Sequence, residues 1–199
     1  GNMNECNNSA KQALDMAQSR GGDQVAIKQE TQYRFFGGVS GGHEKKNKVR
    51  TRLLSKTISE IINESDNVLI VGHRFSDFDA FGSAVGMQCI AEHLGKQANI
   101  VVNVKNTLAL PLISAFIQEK GEGIVISPDE AMSRVGANTL VIVVDTHKQD
   151  FTDCPGLLDV TKKIMVIDHH RKSVDYIEDT VMFYHMPNSS SSSEMITEI

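Results

Sequence analysis

The sequence predicts an α/β fold with a mainly parallel sheet flanked by helices, and three observations lead to that prediction. Three apolar runs, at 68–71, 139–144 and 164–167, are rich in β-branched residues, which is typical of strands covered on both faces. Helical patterns alternate with the strand patterns, as in βαβ units. Each of the three runs also leads directly into a loop of acidic and histidine side chains.

The N-terminal residues predict a small α+β unit that precedes this sheet. Apolar residues between 10 and 17 have helical spacing, and a glycine cap is expected at 20–23. Two short strands, at 24–28 and 32–36, then predict a hairpin. A helix with one hairpin cannot bury a core by itself, so we expect the remnant of a larger domain at 1–38. Residues 39–66 are interpreted as a linker and a connecting helix.

The helix after the glycine-rich linker opens with a run of basic residues, but the run is interpreted as a solvated face. No aromatic residues alternate with the basic ones, as stacking on nucleic acid would require. The net charge of −5 gives no general reason to expect a polyanionic partner, and no DNA partner is predicted. The 3 cysteines show no paired zinc spacing, and no apolar run reaches the ~18 residues of a membrane helix.

From residue 67 onward, strands and helices alternate to the end of the chain. Helices are predicted at 80–94, 108–118 and 128–135, and further strands at 99–102, 123–127 and 176–184. Ser127 is the expected cap of the third helix, which has proline in its first turn. A last helix is expected to begin at 195.

The three loops bring together residue types that bind metal ions. Parallel strands of one sheet place their carboxyl ends at one edge, where α/β folds bind ligands. Imidazole and carboxylate without thiolate favour Mn²⁺, Fe²⁺ or Co²⁺, and the number of candidate ligands favours two ions. The five candidates are His73, Asp77, Asp79, Asp145 and His169. The alternative is that both aspartates of the first loop cap the next helix and that its histidine is structural.

The motifs in this order resemble those of the DHH phosphoesterase superfamily. They are the His-x-x-x-Asp-x-Asp-Ala pattern from His73, Asp-Thr-His from Asp145, and Asp-His-His-Arg from Asp168. Residues 13–28 and 35–38 also resemble the end of the degenerate GGDEF domain in GdpP-type cyclic-di-AMP phosphodiesterases. The resemblance implies that 67–199 form an incomplete DHH domain without a DHHA1 domain.

Residue by residue, the resemblance implies two Mn²⁺ ions. His73 and Asp77 would bind one ion, Asp79 and His169 the other, and Asp145 would bridge them. Roles outside the metal shell are also implied: Asp168 would support the loop, His170 would contact the scissile phosphate and protonate the leaving oxygen, and Arg171 would be a second phosphate contact. His147 lies beside the bridge in the sequence, and two roles stay open for it, a contact to the substrate or a purely structural role in the loop.

The function that the resemblance implies is hydrolysis of cyclic di-AMP to the linear dinucleotide by a water activated between two metals. It further implies a membrane-anchored parent protein with these domains on the cytoplasmic side, a soluble chain here, and a homodimer. The family commonly has proline where this chain has Ser76. Because a later-motif aspartate and the substrate domain are not in this sequence, we expect good binding of the first metal, weak binding of the second and little turnover.

Two rival functions stay open at this stage. One is another DHH activity, a short-oligonucleotide exonuclease or a pyrophosphatase, against which the GGDEF-like segment argues. The other is a non-catalytic nucleotide-binding regulatory module that keeps the motifs without turnover. The serine-rich segment 188–194 likewise has two interpretations, a disordered linker by composition or the turn that opens the next helix by resemblance.

Overall fold

The computed structural model describes residues 2–19, 24–29, 32–37 and 48–199. The chain divides into two compact units, 1–48 and 49–199. No helix in the described residues is long and apolar enough to cross a membrane.

The first unit is a helix followed by a hairpin, as predicted. Helix α1 spans Met3–Ser19, and strands β1 (Gln24–Gln29) and β2 (Gln32–Gly37) pair antiparallel. Ala13 and Ala17 are the buried apolar residues of α1. The predicted glycine cap at 20–23, the hairpin turn at 30–31 and the linker at 38–47 lie outside the described residues.

The second unit is built on a parallel sheet, which confirms the predicted fold class. Its six strands are β3 (Val68–Val71), β4 (Ala98–Val101), β5 (Val125–Ile126), β6 (Leu140–Val144), β7 (Ile164–Asp168) and β8 (Met182–His185). Their order is β5-β4-β3-β6-β7-β8, and every neighbouring pair is parallel. All residues of β3, β6 and β7 are buried, because helices cover both faces.

Helices cover both faces of this sheet. They are α2 (Lys48–Asn63), α3 (Phe78–His93), α4 (Leu110–Lys120), α5 (Pro128–Arg134), α6 (Leu157–Val160) and α7 (Ser192–Thr197). Helices α2, α3, α4 and α7 contribute to one apolar core, around the fully buried Phe81 and Met87. Helices α5 and α6 contribute to the other core, around Leu157.

The observed helix starts have local causes. The predicted cap of α5 is confirmed, because the Ser127 side chain accepts the Glu130 N–H at 3.2 Å. Helix α4 begins two residues later than predicted. The N–H groups of Leu108 and Ala109 donate to the Ser76 carbonyl at 2.9 and 3.1 Å, so this segment is held to the loop after β3 instead of starting the helix.

Two predictions near the C-terminus differ from the structure. The strand predicted at 176–184 forms only over Met182–His185, because the Ile177 N–H donates to the His147 carbonyl at 2.9 Å and residues 178–180 turn. Helix α7 begins three residues earlier than expected, at Ser192, with Ser191 as its cap. The serine-rich segment therefore opens a helix and is not a linker. The short α6 and the 3₁₀ turn Gln149–Phe151 were not predicted.

Candidate metal centre

The loops that follow β3, β6 and β7 meet at the carboxyl edge of the sheet. Val71 lies opposite Val143, and Val144 lies opposite Ile167, so the three strands end side by side. The loops consequently bring His73, Asp145 and His169 together. The Nε2 atoms of the two histidines lie 3.6 and 3.5 Å from oxygens of the same Asp145 carboxylate.

Asp145 is the centre of this arrangement. It is 3% exposed, and its Oδ2 faces His73 while its Oδ1 faces His169. Its backbone has φ +59°, the left-handed region that few residues other than glycine adopt. The Ser192 hydroxyl donates to Oδ1 at 2.9 Å. A buried carboxylate that shows one oxygen to each of two imidazoles has the geometry of a bridging ligand.

The first candidate ion position lies among three atoms, His73 Nε2, Asp77 Oδ1 and Asp145 Oδ2. The two distances from His73 Nε2 are 3.7 and 3.6 Å. Both are longer than normal hydrogen bonds. They approach the separation of about 3.0–3.5 Å expected of neighbouring donors bound to one ion at about 2.1 Å, so small movements would close a coordination shell.

The second candidate position lies on the other side of Asp145, where Asp145, His169 and His170 form a compact group of possible ligands and Asp79 approaches it through His169. His169 Nε2 lies 3.6 Å from Asp79 Oδ2 and 3.5 Å from Asp145 Oδ1. The Nδ1 atom of His170 is 3.7 Å from the same Asp145 oxygen. The structure thus brings all five predicted ligands together, in two groups that share one carboxylate.

Both candidate histidine ligands are held in the orientation that metal binding requires. His73 Nδ1 donates to the Arg74 carbonyl at 2.8 Å, and His169 Nδ1 donates to the Ser189 carbonyl at 3.2 Å. Since a carbonyl can only accept, Nδ1 carries the hydrogen in each ring. In the neutral ring, the lone pair is then on Nε2, which faces the carboxylates.

Asp77 also caps helix α3, as the alternative interpretation of the first loop predicted for this residue. Its Oδ1 accepts the N–H groups of Asp79 and Ala80 at 2.9 and 3.0 Å. A carboxylate has two oxygens and about four acceptor positions, so capping and metal binding are compatible. Asp79 does not cap α3. It accepts the N–H groups of Ser192 and Ser193, each at 2.9 Å, at the start of α7.

The cluster carries an excess of negative charge. The Asp145 carboxylate raises the pKa of His73 to about 9 against the effect of burial, with further contributions from the Arg74 carbonyl and Asp77. Burial raises the pKa of Asp79, but the hydrogen bonds from Ser193 and Ser192 outweigh it and hold this pKa below its usual value. A proton on His73 must leave before a cation can bind Nε2, so a metal ion would take the proton's place.

Asp168 is fully buried and orients His170. Its Oδ1 accepts His170 Nδ1–H at 2.8 Å and the His170 backbone N–H at 3.2 Å, while its Oδ2 accepts Nδ1–H of His147. Burial raises the pKa of Asp168, but the hydrogen bonds from His147 and His170 outweigh that effect and lower it. The side chain of His170 is 54% exposed. Its Nε2 is therefore the nitrogen left for a ligand.

His147 has both ring nitrogens engaged within the fold. It is 3% exposed, its Nδ1 donates to Asp168, and its Nε2 accepts the Ser173 N–H at 2.9 Å. Both nitrogens of this ring therefore serve the fold, which leaves neither of them for a metal ion or a substrate. His185 completes a third group of close metal-ligand types with these residues, and its Nε2 donates to the His170 carbonyl at 2.5 Å. Hydrogen bonds account for this third group.

Arg171 is exposed and makes no hydrogen bond or ion pair with the described part of the chain. Two contributions were not foreseen from the sequence. The ring of Phe151 stacks on His73, with ring centroids 5.5 Å apart and planes at 12°. The other is the set of serine contacts to Asp79 and Asp145, for which the serine-rich segment was the available signal.

Two protein families match separate parts of the sequence. The DHH family, N-terminal domain, matches residues 67–199. The family described as cyclic-di-AMP phosphodiesterase GdpP-like, GGDEF domain, matches residues 1–35.

Curated relatives align with nearly the whole chain. It is 38% identical over 194 residues to the cyclic-di-AMP phosphodiesterase PdeA of Listeria monocytogenes, and 37% identical over 201 residues to the cyclic-di-AMP phosphodiesterase GdpP of Bacillus subtilis. The alignments cover 96% and 99% of this chain, and the chain spans 30% of the length of each relative.

A solved structure also resembles part of the fold. It is the crystal structure of an exopolyphosphatase-related protein from Bacteroides fragilis, with a TM-score of 0.48 and 18% sequence identity. The match covers 73% of this chain and 42% of that one.

Proposed function

This chain belongs to the DHH family, and on that basis we propose that it carries the metal centre of a cyclic-di-AMP phosphodiesterase. The observation that carries the proposal is the Asp145 carboxylate, whose two oxygens face His73 and His169 from opposite sides. The reaction would open the cyclic dinucleotide to the linear dinucleotide. Relatives at 37–38% identity bear the name of this activity, which supports the choice of substrate.

The donor set fits two divalent ions, and Mn²⁺ is the metal we propose. Imidazole nitrogen and carboxylate oxygen, with no thiolate among the candidates, are the ligands that Mn²⁺ accepts readily. His73 and Asp77 would hold one ion, Asp79 and His169 the other, and Asp145 both. When bound, such ions supply the Lewis acidity that lowers the pKa of an attacking water and neutralises phosphate charge.

The other residues of the site would bind and protonate the substrate. His170 has its Nδ1–H committed to the buried Asp168, so its Nε2 would meet a phosphate or leaving oxygen and hold the proton given to the leaving group. Asp168 would keep the ring in that orientation, supported by His147 on its other oxygen. The exposed guanidinium of Arg171 would bind a second phosphate oxygen.

The GdpP-like match at residues 1–35 favours a cyclic dinucleotide over the other substrates of DHH enzymes. We propose the division into a GGDEF-like remnant at 1–38, a linker and helix at 39–66, and a DHH domain at 67–199. A homodimer and a membrane-anchored parent protein with these domains on its cytoplasmic side are further expectations that rest on the family resemblance.

Metal binding is the first test of the proposal. We expect isothermal titration of the chain with Mn²⁺ to show two sites, and Asp145→Ala to weaken both by more than about 100-fold, because losing a supporting residue alone costs about 10–100-fold. Asp175→Ala is the matched control, since it removes an exposed carboxylate of the same type. Two sites that survive Asp145→Ala would refute the shared ligand, and a folded chain that binds no Mn²⁺ would refute the metal centre.

Product analysis then distinguishes the enzyme activities. The Mn²⁺-loaded chain is incubated in excess over cyclic di-AMP, and the products are separated by chromatography. The proposal is supported if the unmodified chain forms the linear dinucleotide and Asp145→Ala does not. Release of mononucleotides or orthophosphate would favour an exonuclease or a pyrophosphatase, and binding without any product would favour a regulatory module.

A further inference from the structure

The aromatic residue Phe75 has a strained backbone without the burial that would offset it. Its φ of +63° lies in the left-handed region, and only one other residue in the described chain that is not glycine, Asp145, shares this sign. For a bulky residue this conformation is a true outlier, which glycine or asparagine would adopt at lower cost. The Phe75 side chain is nevertheless left 51% exposed.

Contacts on both sides of Phe75 fix its conformation. The next residue, Ser76, is 2% exposed, and its carbonyl accepts the Thr107 hydroxyl at 2.9 Å together with the N–H groups of the two residues just before α4. On the other side, the Arg74 N–H donates to the Phe151 carbonyl at 2.7 Å. The loop is therefore held in place around Phe75, and the strain is maintained by its neighbours.

Two more exposed rings lie next to candidate ligands, Phe78 in the sequence and Phe151 in space. Phe78, between Asp77 and Asp79 in the sequence, is 61% exposed, and Phe151, stacked on His73, is 41% exposed. With Phe75 these are three of the 8 phenylalanines of the protein. Apolar rings exposed next to a highly polar cluster are the surface on which the flat, apolar face of a ligand would stack.

We propose that Phe75 stacks on a nucleobase of the substrate while the phosphate of the same nucleotide lies at the metal centre. The inference rests on the proposed function and adds the group that recognises the base. Aromatic side chains bind bases of nucleic acids through their π-faces, without needing hydrogen bonds. A ring held on a fixed backbone loses little freedom on binding, which explains why a strained phenylalanine stands where asparagine would fold more easily.

The test compares two probes that differ only in the base. Adenosine 5′-monophosphate and ribose 5-phosphate are titrated into the Mn²⁺-loaded chain, and the ratio of their affinities reports the contribution of adenine. We expect a ratio of about 10 in the unmodified chain and about 1 in Phe75→Asn. Phe75→Trp keeps an aromatic face, so it is expected to keep the preference for the base.

Stability provides a second readout in the opposite direction. Asparagine tolerates the left-handed region, so Phe75→Asn is expected to raise the midpoint of thermal unfolding while it removes base recognition. Val160→Asn is the control for loss of a half-exposed apolar side chain, since Val160 is 45% exposed and ends α6, ahead of the first residue of β7. It is expected to leave the affinity ratio unchanged.

The outcomes separate the inference from the proposed function. Equal affinities of the two probes in the unmodified chain, or an unchanged ratio in Phe75→Asn, would overturn the role of Phe75 and leave the metal centre intact. An equal loss of affinity for both probes in Phe75→Asn would also overturn this role, because the ring would then not act on the base. If ribose 5-phosphate binds without any dependence on Mn²⁺, the proposed function fails and the inference fails with it.

Discussion

The two candidate ion positions share Asp145 but are assembled over very different distances along the chain. In the first, His73 and Asp77 belong to one loop, and the Asp77 oxygen is bound by N–H groups two and three residues away. In the second, Asp79 lies in the first turn of α3 and His169 follows β7, and the partners of Asp79 lie 113 and 114 residues away at the start of α7.

The second position consequently depends on the packing of α7 against α3. Two glycines of α3, Gly82 and Gly86, lie at this contact. A Cβ atom built at Gly86 would lie 2.7 Å from Cγ2 of Ile196, and one at Gly82 would lie 3.0 Å from the Ser193 hydroxyl oxygen. Only residues without a side chain allow this approach, and the approach places the N–H groups of α7 on the Asp79 carboxylate.

This contrast teaches that the two candidate positions depend on different parts of the fold, the first on a local loop and the second on a distant helix. The two ligands that belong to the first position alone, His73 and Asp77, keep their geometry as long as β3 and the start of α3 are folded. The second position loses its carboxylate support when α7 moves. We therefore expect unequal affinities for the two ions, with the first position binding more tightly.

Replacing the two aspartates separately gives the largest expected effect. We expect Asp79→Asn to weaken the second ion by more than about 100-fold, and to destabilise the fold by about 1–3 kcal/mol, because the new amide group opposes N–H donors of α7. Asp77→Asn is expected to weaken the first ion as strongly with little loss of stability, since asparagine caps helices as well as aspartate does. Calorimetry and urea unfolding measure the two quantities.

The comparison fails if the two variants behave alike. Equal stability losses would mean that Asp79 does not hold α7, and loss of the same ion in both variants would mean that the two positions are one. Asp175→Asn serves as the control, since it removes one exposed negative charge and is expected to change neither ion.

Gly86→Ala tests the packing of α7 without touching a ligand. The added methyl group would collide with Ile196, so we expect a destabilisation of about 1–3 kcal/mol and roughly tenfold weaker binding of the second ion, with the first unchanged. The sign of the change in stability is decisive, because alanine inside a helix otherwise stabilises the fold by about 0.5–1 kcal/mol relative to glycine.

Two further glycine variants are expected to lose less stability than Gly86→Ala. Gly82→Ala has the smaller overlap and is expected to give the smaller loss. Gly136→Ala has no neighbour closer than 3.9 Å and is expected to be neutral. A Gly86→Ala chain that is more stable than the unmodified one, with both ions bound normally, would show that α7 does not pack on α3 in solution.

The same contrast explains what the sequence could predict. The strands β3, β6 and β7 were located within a residue or so, because each is a nearly continuous run of apolar residues. Their parallel order followed from the alternation of strands and helices, and it brought the three loops together. Helix caps are local signals: Ser127 was predicted from a few neighbouring residues, and the cap at Asp77 was part of the alternative interpretation of the first loop.

Features that depend on distant contacts were missed. Nothing local to Phe151 indicates that its ring stacks on His73, and the serine-rich segment around Ser192 does not by itself indicate bonds to Asp79 and Asp145. The strand expected at 176–184 was too long for the same reason, since the bond from Ile177 to the His147 carbonyl holds the segment away from the sheet. These contacts appear only when the chain is folded.

Phe151→Leu gives the smallest expected effect and sharpens the comparison at the first position. Leucine keeps an apolar side chain but loses the flat face that stacks on His73, whereas the bond from His73 Nδ1 to the Arg74 carbonyl persists. We expect the first ion to bind about threefold more weakly, the range that an aromatic contact of about 0.5–1 kcal/mol represents, and the second ion to be unchanged. Calorimetry with Mn²⁺ measures both ions when Phe151→Leu is made in the unmodified chain, and the first ion alone when it is combined with Asp79→Asn. Equal weakening of both ions would instead place the effect of Phe151 on the shared Asp145, because that residue is the one ligand that the two positions have in common.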